Sequence, residues 1–158
     1  MFRELRRKNK QLSLDECVKI LSSEKRGVLS VLGDDGYPYG MPMNHLYNEA
    51  DGAVYFHSGL GGHRNDSVLK NQKASFCVYN GGEKIDGDWA LLIKSVIVFG
   101  RLEIIDDENT VREISRKLCY KFTDDESYIS HEIEKHAAAT VLLKLTPEHI
   151  CGKWIEEK

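Results

Sequence analysis

The stretch Val54-Tyr55-Phe56-His57-Ser58-Gly59-Leu60-Gly61-Gly62-His63-Arg64 joins a short apolar run to a glycine turn and then to two side chains able to carry positive charge. Residues in that order suit the binding of an anion. Ala53 to Phe56 is compact and β-prone, as in a buried or half-buried strand, and polar His57 and Ser58 mark its exit. Gly59, Gly61 and Gly62 can take backbone angles closed to other residues, so main-chain N–H groups can turn toward one point. From His63 to Gln72 the pattern predicts a helix with Val68 and Leu69 as its apolar residues. Its free N–H groups and positive dipole end would face the turn, the usual arrangement for holding phosphate. Arg64 adds a permanent planar charge matched to two phosphate oxygens, and a charge-assisted hydrogen bond contributes about 1.5–3 kcal/mol. The segment is neither a Walker A loop, lacking Gly-Lys-Ser/Thr, nor Gly-x-Gly-x-x-Gly, lacking the third glycine. The same residues also describe a glycine turn before a surface helix with a solvated His-Arg pair, and alone they do not separate the two readings.

Other chemistry is poorly represented. The six histidines, His45, His57, His63, His131, His136 and His149, form no ligand pair with metal-site spacing, so metal binding is not expected. No Gly-x-Ser-x-Gly elbow is present, and no cysteine is placed for nucleophilic catalysis. Tyr37, Tyr39, Tyr47, Tyr55, Phe56 and Trp154 could wall a flat heteroaromatic ring, although aromatic residues in strands more often serve packing.

The elements that must position these groups follow from periodicity. Ser13-Leu14-Asp15-Glu16 fits a capping box, and Leu14, Cys17, Val18 and Leu21 continue at helical spacing to about Glu24. Gly27 to Leu32 reads as a strand, and Gly33-Asp34-Asp35-Gly36 as a hairpin turn into a second run from Tyr37 to Tyr47. Pro38 and Pro42 cannot donate ladder hydrogen bonds, which puts this run at an edge or beside a bound group. If the run is regular, Asn44 and His45 point to opposite faces. With Ala53 to Ser58 returning after a turn at Asn48 to Gly52, the expectation is a three-stranded meander. Ala74 to Tyr79 is a further strand, followed by a polar loop from Asn80 to Gly87. Trp89 to Ile105 is a long strand in which Gly100 predicts a bulge or bend. Lys94 and Ser95 are its polar members and must meet water, a ligand or a partner chain. Thr110 and Glu113 have capping-box spacing before a helix carrying Val111, Ile114 and Leu118. A second helix, from about Asp124 to Ala138, directs Tyr128, Ile129 and Ile133 inward. Two closing strands, Thr140 to Leu145 and His149 to Ile155, flank Pro147. Six or seven mostly antiparallel strands with peripheral helices predict a mainly β fold, a β-barrel.

At 158 residues and 41% hydrophobic, one domain with a real core is expected, preceded by a basic tail over residues 1–12 that holds Arg3, Arg6, Arg7, Lys8 and Lys10. A net charge of −3 argues against bulk binding to nucleic acid. Cys17, Cys77, Cys119 and Cys151 never form Cys-x-x-Cys and are expected to be reduced. With no apolar run long enough to span a bilayer and no signal-type segment, neither a membrane nor secretion is expected, and the location reads as cytoplasmic.

The order of these motifs resembles the pyridoxamine 5′-phosphate oxidase-like FMN-binding split-barrel family, and within it the nitroimidazole-resistance (Nim) branch. The resemblance runs from Ser13 to Trp154. It is carried by Gly27 to Ser30, Asp35 to Met43, Tyr55 to Ser58 with Gly62 to Arg64, Ser75 to Val78, Ser95 to Gly100 and His149 to Trp154. It implies a split barrel of six to seven antiparallel strands over residues 13–158, and a homodimer with FMN in clefts between protomers. It places Met41, Pro42, Met43, Asn44, His45 and Leu46 beside the flavin, His57 and Ser58 along its ribityl-to-ring portion, and His63 with Arg64 on its phosphate. Lys94 and Ser95 correspond to positions that reach the flavin from the partner chain. The oxidases proper carry Arg-Lys where this chain has His63-Arg64, and a neutral imidazole donates only one hydrogen bond. The pyridoxal phosphate grip of the oxidases is not evident. The implied activity is reduction of a small organic molecule of the nitroaromatic or a related type, with a reduced nicotinamide as electron donor and His57, then His45, as candidate proton donors. The alternative is a flavin- or haem-binding protein without turnover, used for storage, sensing or sequestration.

Overall fold

A computed structural model describes residues 2–157. Its first helix, α1 (Leu14–Ser23), starts where the capping box predicts: the Ser13 hydroxyl accepts from the Glu16 amide, and the Glu16 carboxylate accepts from the Ser13 amide at 2.9 Å. A cap of this kind is worth about 1 kcal/mol. The chain then forms β1 (Arg26–Leu32), β2 (Pro38–Asn44), β3 (Leu46–Asn48), β4 (Ala53–Gly59), α2 (His63–Lys70), β5 (Lys73–Tyr79), β6 (Glu83–Lys84), β7 (Leu91–Ile105), α3 (Glu108–Cys119), α4 (Glu126–His136) and β8 (Thr140–Glu157). All strand pairings are antiparallel, in the order β2-β1-β5-β7-β8-β4-β3, with the two-residue β6 on β7 inside the predicted polar loop.

That order contains the main departure from the expected meander. The run from Tyr37 to Tyr47 is two strands, interrupted at His45. β2 pairs with β1 and β3 pairs with β4, at opposite ends of the sheet. Two strands adjacent in sequence can lie at opposite ends of the order only if the sheet curls on itself. The result is a split barrel, in which β2 and β4 approach one another without a ladder between them. Pro42 accordingly sits on an edge strand, where its missing N–H costs nothing.

β7 and β8 form the longest ladder, from Leu91 opposite Glu157 to Ile105 opposite Leu142. Its register shifts between Phe99 and Gly100, as the glycine predicts: a Cβ on Gly100 would lie 2.1 Å from the Thr146 carbonyl oxygen. The same bulge explains why the two predicted closing strands are one. Phe99 faces His149 and Gly100 faces Pro147, leaving Glu148 as the extra residue, so the proline falls where the ladder is already broken.

Inside the barrel, Leu29, Val54, Phe56, Phe76, Val98 and Leu143 are fully buried, closed at one end by Leu21 of α1. Outside it, Val111 and Ile114 of α3 pack on Ala53, Tyr55 and Leu142, and Ile129 and Ile133 of α4 are buried beyond them. Two expectations on the helices need correction. The cap of α3 is Asp107, which accepts from the Thr110 amide at 2.8 Å, because a carboxylate one turn earlier outcompetes the Thr110-Glu113 pair. Tyr128 is 56% exposed, since α4 buries one stripe, set by Ile129 and Ile133. The four cysteines are free thiols, and burial pushes Cys17 up to about 11, so it packs rather than reacts. No helix among the described residues is long and apolar enough to cross a membrane.

Candidate functional site

β4 ends at Gly59, and the chain turns through Gly61 and Gly62 with φ of 73° and 88°, angles that disfavour any side chain. Gly62 is the N-cap of α2 and offers no side-chain acceptor, so the first N–H groups of the helix are left without a side-chain cap. Arg64 extends from this first turn across the open seam between β2 and β4. Its Nε–H donates toward Met41 Sδ on β2 at 3.3 Å. Its Nη1 donates to Ser58 Oγ at 3.3 Å and to the His57 carbonyl at 3.5 Å, both on β4. Ser58 in turn donates to Asn65 Oδ1 at 2.9 Å, and Asn65 Nδ2 donates to the Gly59 carbonyl at 2.9 Å. Every acceptor that holds Arg64 is neutral. Among the described residues no carboxylate pairs with it, and its Nη2 makes no hydrogen bond. A half-buried guanidinium, oriented on neutral groups and left with a free edge beside a glycine turn, suits an anion.

His63 goes elsewhere. Its ring stacks on Tyr39 with centroids 4.3 Å apart, and its Nε2 lies 3.5 Å from Asp34 in the β1–β2 turn. Lys70 bonds the same carboxylate at 3.0 Å. That bond, then the charges of Lys70 and His63, hold Asp34 below the ordinary carboxylate range. His63 therefore flanks the Arg64 seam and leans on the neighbouring turn.

Residues 41–46 do not share one face. Met41 and Met43 point into the barrel, and Pro42 and Asn44 point out, Asn44 accepting from Arg26 Nε at 3.1 Å. Leu46 packs under α3. His45 is 0% exposed, with its ring 4.7 Å from Phe76. Its Nε2 is 2.8 Å from the Leu21 carbonyl, which can only accept, so Nε2 carries the proton and the buried Nδ1 has no partner. Burial, followed by the charge of Lys121, lowers its pKa to about 4. It is a core residue.

His57 faces away from Ser58, toward the helices, as strand alternation requires. Its Nε2 lies 2.8 Å from Ser115 Oγ on α3. The ring borders a cavity of about 320 Å³ whose walls include Cys119, Tyr128, Ile133 and Thr140. Burial lowers its pKa, so the ring is neutral near pH 7 and offers a hydrogen bond rather than a full charge.

Lys94 and Ser95 lie at the far end of β7, where Ser95 opposes Lys153 of β8, whereas Ser58 opposes Val141. Met41, which Arg64 touches, is in register with Leu29, Phe76 and Val98, so Ser95 lies three strands and three residues from the Arg64 seam, and among the described residues no hydrogen bond or ion pair joins Lys94 or Ser95 to it. Sequence reasoning missed Asn65 and Ser115. The signal for Asn65 is a polar residue on the buried stripe of a short helix, three positions before Val68. Ser115, between Ile114 and Leu118, had none. Among the described residues no cluster of three or more His, Cys, Asp or Glu could hold a metal ion.

Solved structures share this architecture. A protein ascribed to 5-nitroimidazole antibiotic resistance from Bacteroides thetaiotaomicron superposes with a TM-score of 0.76 at 19% identity, covering 92% of this chain and 87% of that one. A FAD-binding protein from Mesorhizobium loti gives 0.66 at 25% identity, over 92% and 97%. A flavocytochrome from Azotobacter vinelandii gives 0.73 at 20%, over 96% and 72%. No curated protein matches the chain. Residues 13–154 match the model of the pyridoxamine 5′-phosphate oxidase family, and the chain belongs to that family.

Proposed function

We propose that this protein is an FMN-binding oxidoreductase that works as a homodimer on small organic molecules of the nitroaromatic type. The observation that carries the reading is Arg64: a guanidinium held by Met41, Ser58 and the His57 carbonyl, with no carboxylate and an unused Nη2, beside two positive-φ glycines and a helix start without a side-chain cap. These groups fit a phosphate, and a FAD-binding neighbour and a flavocytochrome favour a flavin as its bearer, for which we propose FMN. Bound there, the flavin would supply the electron transfer. The chain supplies the phosphate anchor, through Arg64 and the turn amides, and a neutral His57 at the wall of a cavity large enough for a small ring.

The homodimer is part of the same reading: within one chain, among the described residues, Lys94 and Ser95 make no hydrogen bond or ion pair with the Arg64 seam, and a second copy would bring them to the flavin. The outer sheet face supports it. Val28, Cys77, Ile97 and Cys151 lie in register across four strands and are only partly buried, an apolar row suited to a partner.

The test is spectroscopic. The purified protein should be yellow or take up FMN stoichiometrically, bleach with a reduced nicotinamide, and sediment as a dimer. Arg64→Gln should weaken FMN binding roughly tenfold to a hundredfold, as expected for losing a charge-assisted bond. No uptake of added FMN would overturn the reading, and a Soret band would replace flavin with haem.

A further inference from the structure

The basic segment at the start of the chain is a strap. At one end the Phe2 ring stacks on His149, centroids 4.8 Å apart and 8° from parallel. At the other, Gln11 bridges to Lys153, the Leu12 amide donates to the Gly152 carbonyl at 2.9 Å, and the Leu12 side chain enters the core. A 3-10 turn at Lys8–Lys10 tightens the span between these anchors. The strap thus covers an edge of β8 that β4, paired only as far as Leu145, leaves open.

Between strap and strand lies a pocket of about 270 Å³ whose lining includes Arg6, Arg7, Lys10 and Lys153. Among the described residues none of these four cations pairs with a carboxylate, whereas Lys8 on the same strap is tied to Glu4 at 2.7 Å. The remaining wall is apolar: Leu5, Ile155 and the indole of Trp154, over which Lys10 Nζ sits 4.4 Å from the ring centroid. Four like charges around one opening repel one another, and an anion relieves that repulsion. Two guanidinium forks with two ammonium groups suit a multiply charged anion such as a di- or triphosphate, and the apolar wall suits a ligand with a flat body.

We propose that this pocket binds a nucleoside phosphate, with Arg6, Arg7 and Lys153 on the phosphates. Lys10 is drawn off the indole, so that the base packs on Trp154. The proposal does not rest on the flavin reading, because it uses none of the residues around Arg64.

The experiment is an ADP titration of the full-length Trp89→Phe variant, in which Trp154 is the only indole, followed by its emission and by calorimetry. The expected result is saturable one-to-one binding that weakens with added salt and falls at least tenfold in Arg6→Gln/Arg7→Gln, while FMN uptake stays unchanged. Both arginines are exposed, so the double variant keeps the fold, which circular dichroism checks. Absence of both heat and emission change overturns the proposal. So does equal affinity for ADP and tripolyphosphate, which reduces the pocket to a charge patch, and so does ADP binding that the double variant leaves intact.

Discussion

His45 and His57 are the same residue type in the same half of the barrel, and burial lowers the pKa of both. Their surroundings divide them. His45 has one nitrogen fixed on a main-chain carbonyl and the other sealed in the core without a partner. His57 has one nitrogen on a side-chain hydroxyl and borders a cavity. A lowered pKa alone therefore does not mark a working histidine. What distinguishes the two is whether a ligand can reach the ring. His45 is placed to hold β2, β3 and α1 together, and His57 lies on a cavity wall.

The largest effect that tests this division is on stability. His45→Ala removes a fully buried ring packed on Phe76 and leaves the Leu21 carbonyl without its donor, so it should cost about 3 kcal/mol in urea unfolding. His57→Ala, at a half-buried site open to a cavity, should cost about 1 kcal/mol. Equal losses would erase the distinction.

Acid sharpens the same contrast. The His45 pKa falls from 6.5 in the unfolded chain to about 4 in the fold, so between those values the unfolded state binds more protons. Stability from this group is complete above pH 6.5, declines as pH falls, and is lost by about pH 4, an effect of about 3 kcal/mol. His45→Gln keeps a donor for Leu21 but cannot titrate, so its stability should decline less than the parent's over that window, with His57 still contributing. Turnover should respond in the opposite way. His57→Ala should lower it about a hundredfold with FMN content unchanged, the size expected for a positioned hydrogen-bonding group, and His45→Gln should leave it within about twofold.

Much of the fold was legible because it is local. The capping box at Ser13, the bulge at Gly100 and the edge placement of Pro42 each follow from one residue's backbone chemistry. The break at His45 was not legible, since nothing local interrupts Met41 to Tyr47. It is imposed by the barrel, which sends β2 and β3 to opposite ends of the sheet. Pro147 misled for a related reason: it looks like a terminator until Gly100 opposite it supplies the matching irregularity. The position of Arg64 in the first turn of α2, just past a glycine turn, was legible from the sequence. The diversion of His63 onto Tyr39 and Asp34 was not, because both partners lie on another hairpin, and neither was Ser115, which reaches His57 from a helix 58 residues along the chain.

The smallest effect belongs to that serine. Ser115→Ala leaves a small gap and removes one hydrogen bond between a half-buried imidazole and a helix, which should cost about 1 kcal/mol. If His57 were only structural, nothing further would change. If it works at the cavity, freeing Nε2 from Ser115 alters which nitrogen carries the proton and how the ring is turned. The acid limb of turnover against pH should then move, while FMN affinity and oligomeric state stay fixed. Ser115→Thr, which keeps the hydroxyl, should restore the parent profile. A profile identical in parent, alanine and threonine variants would return His57 to the same structural category as His45.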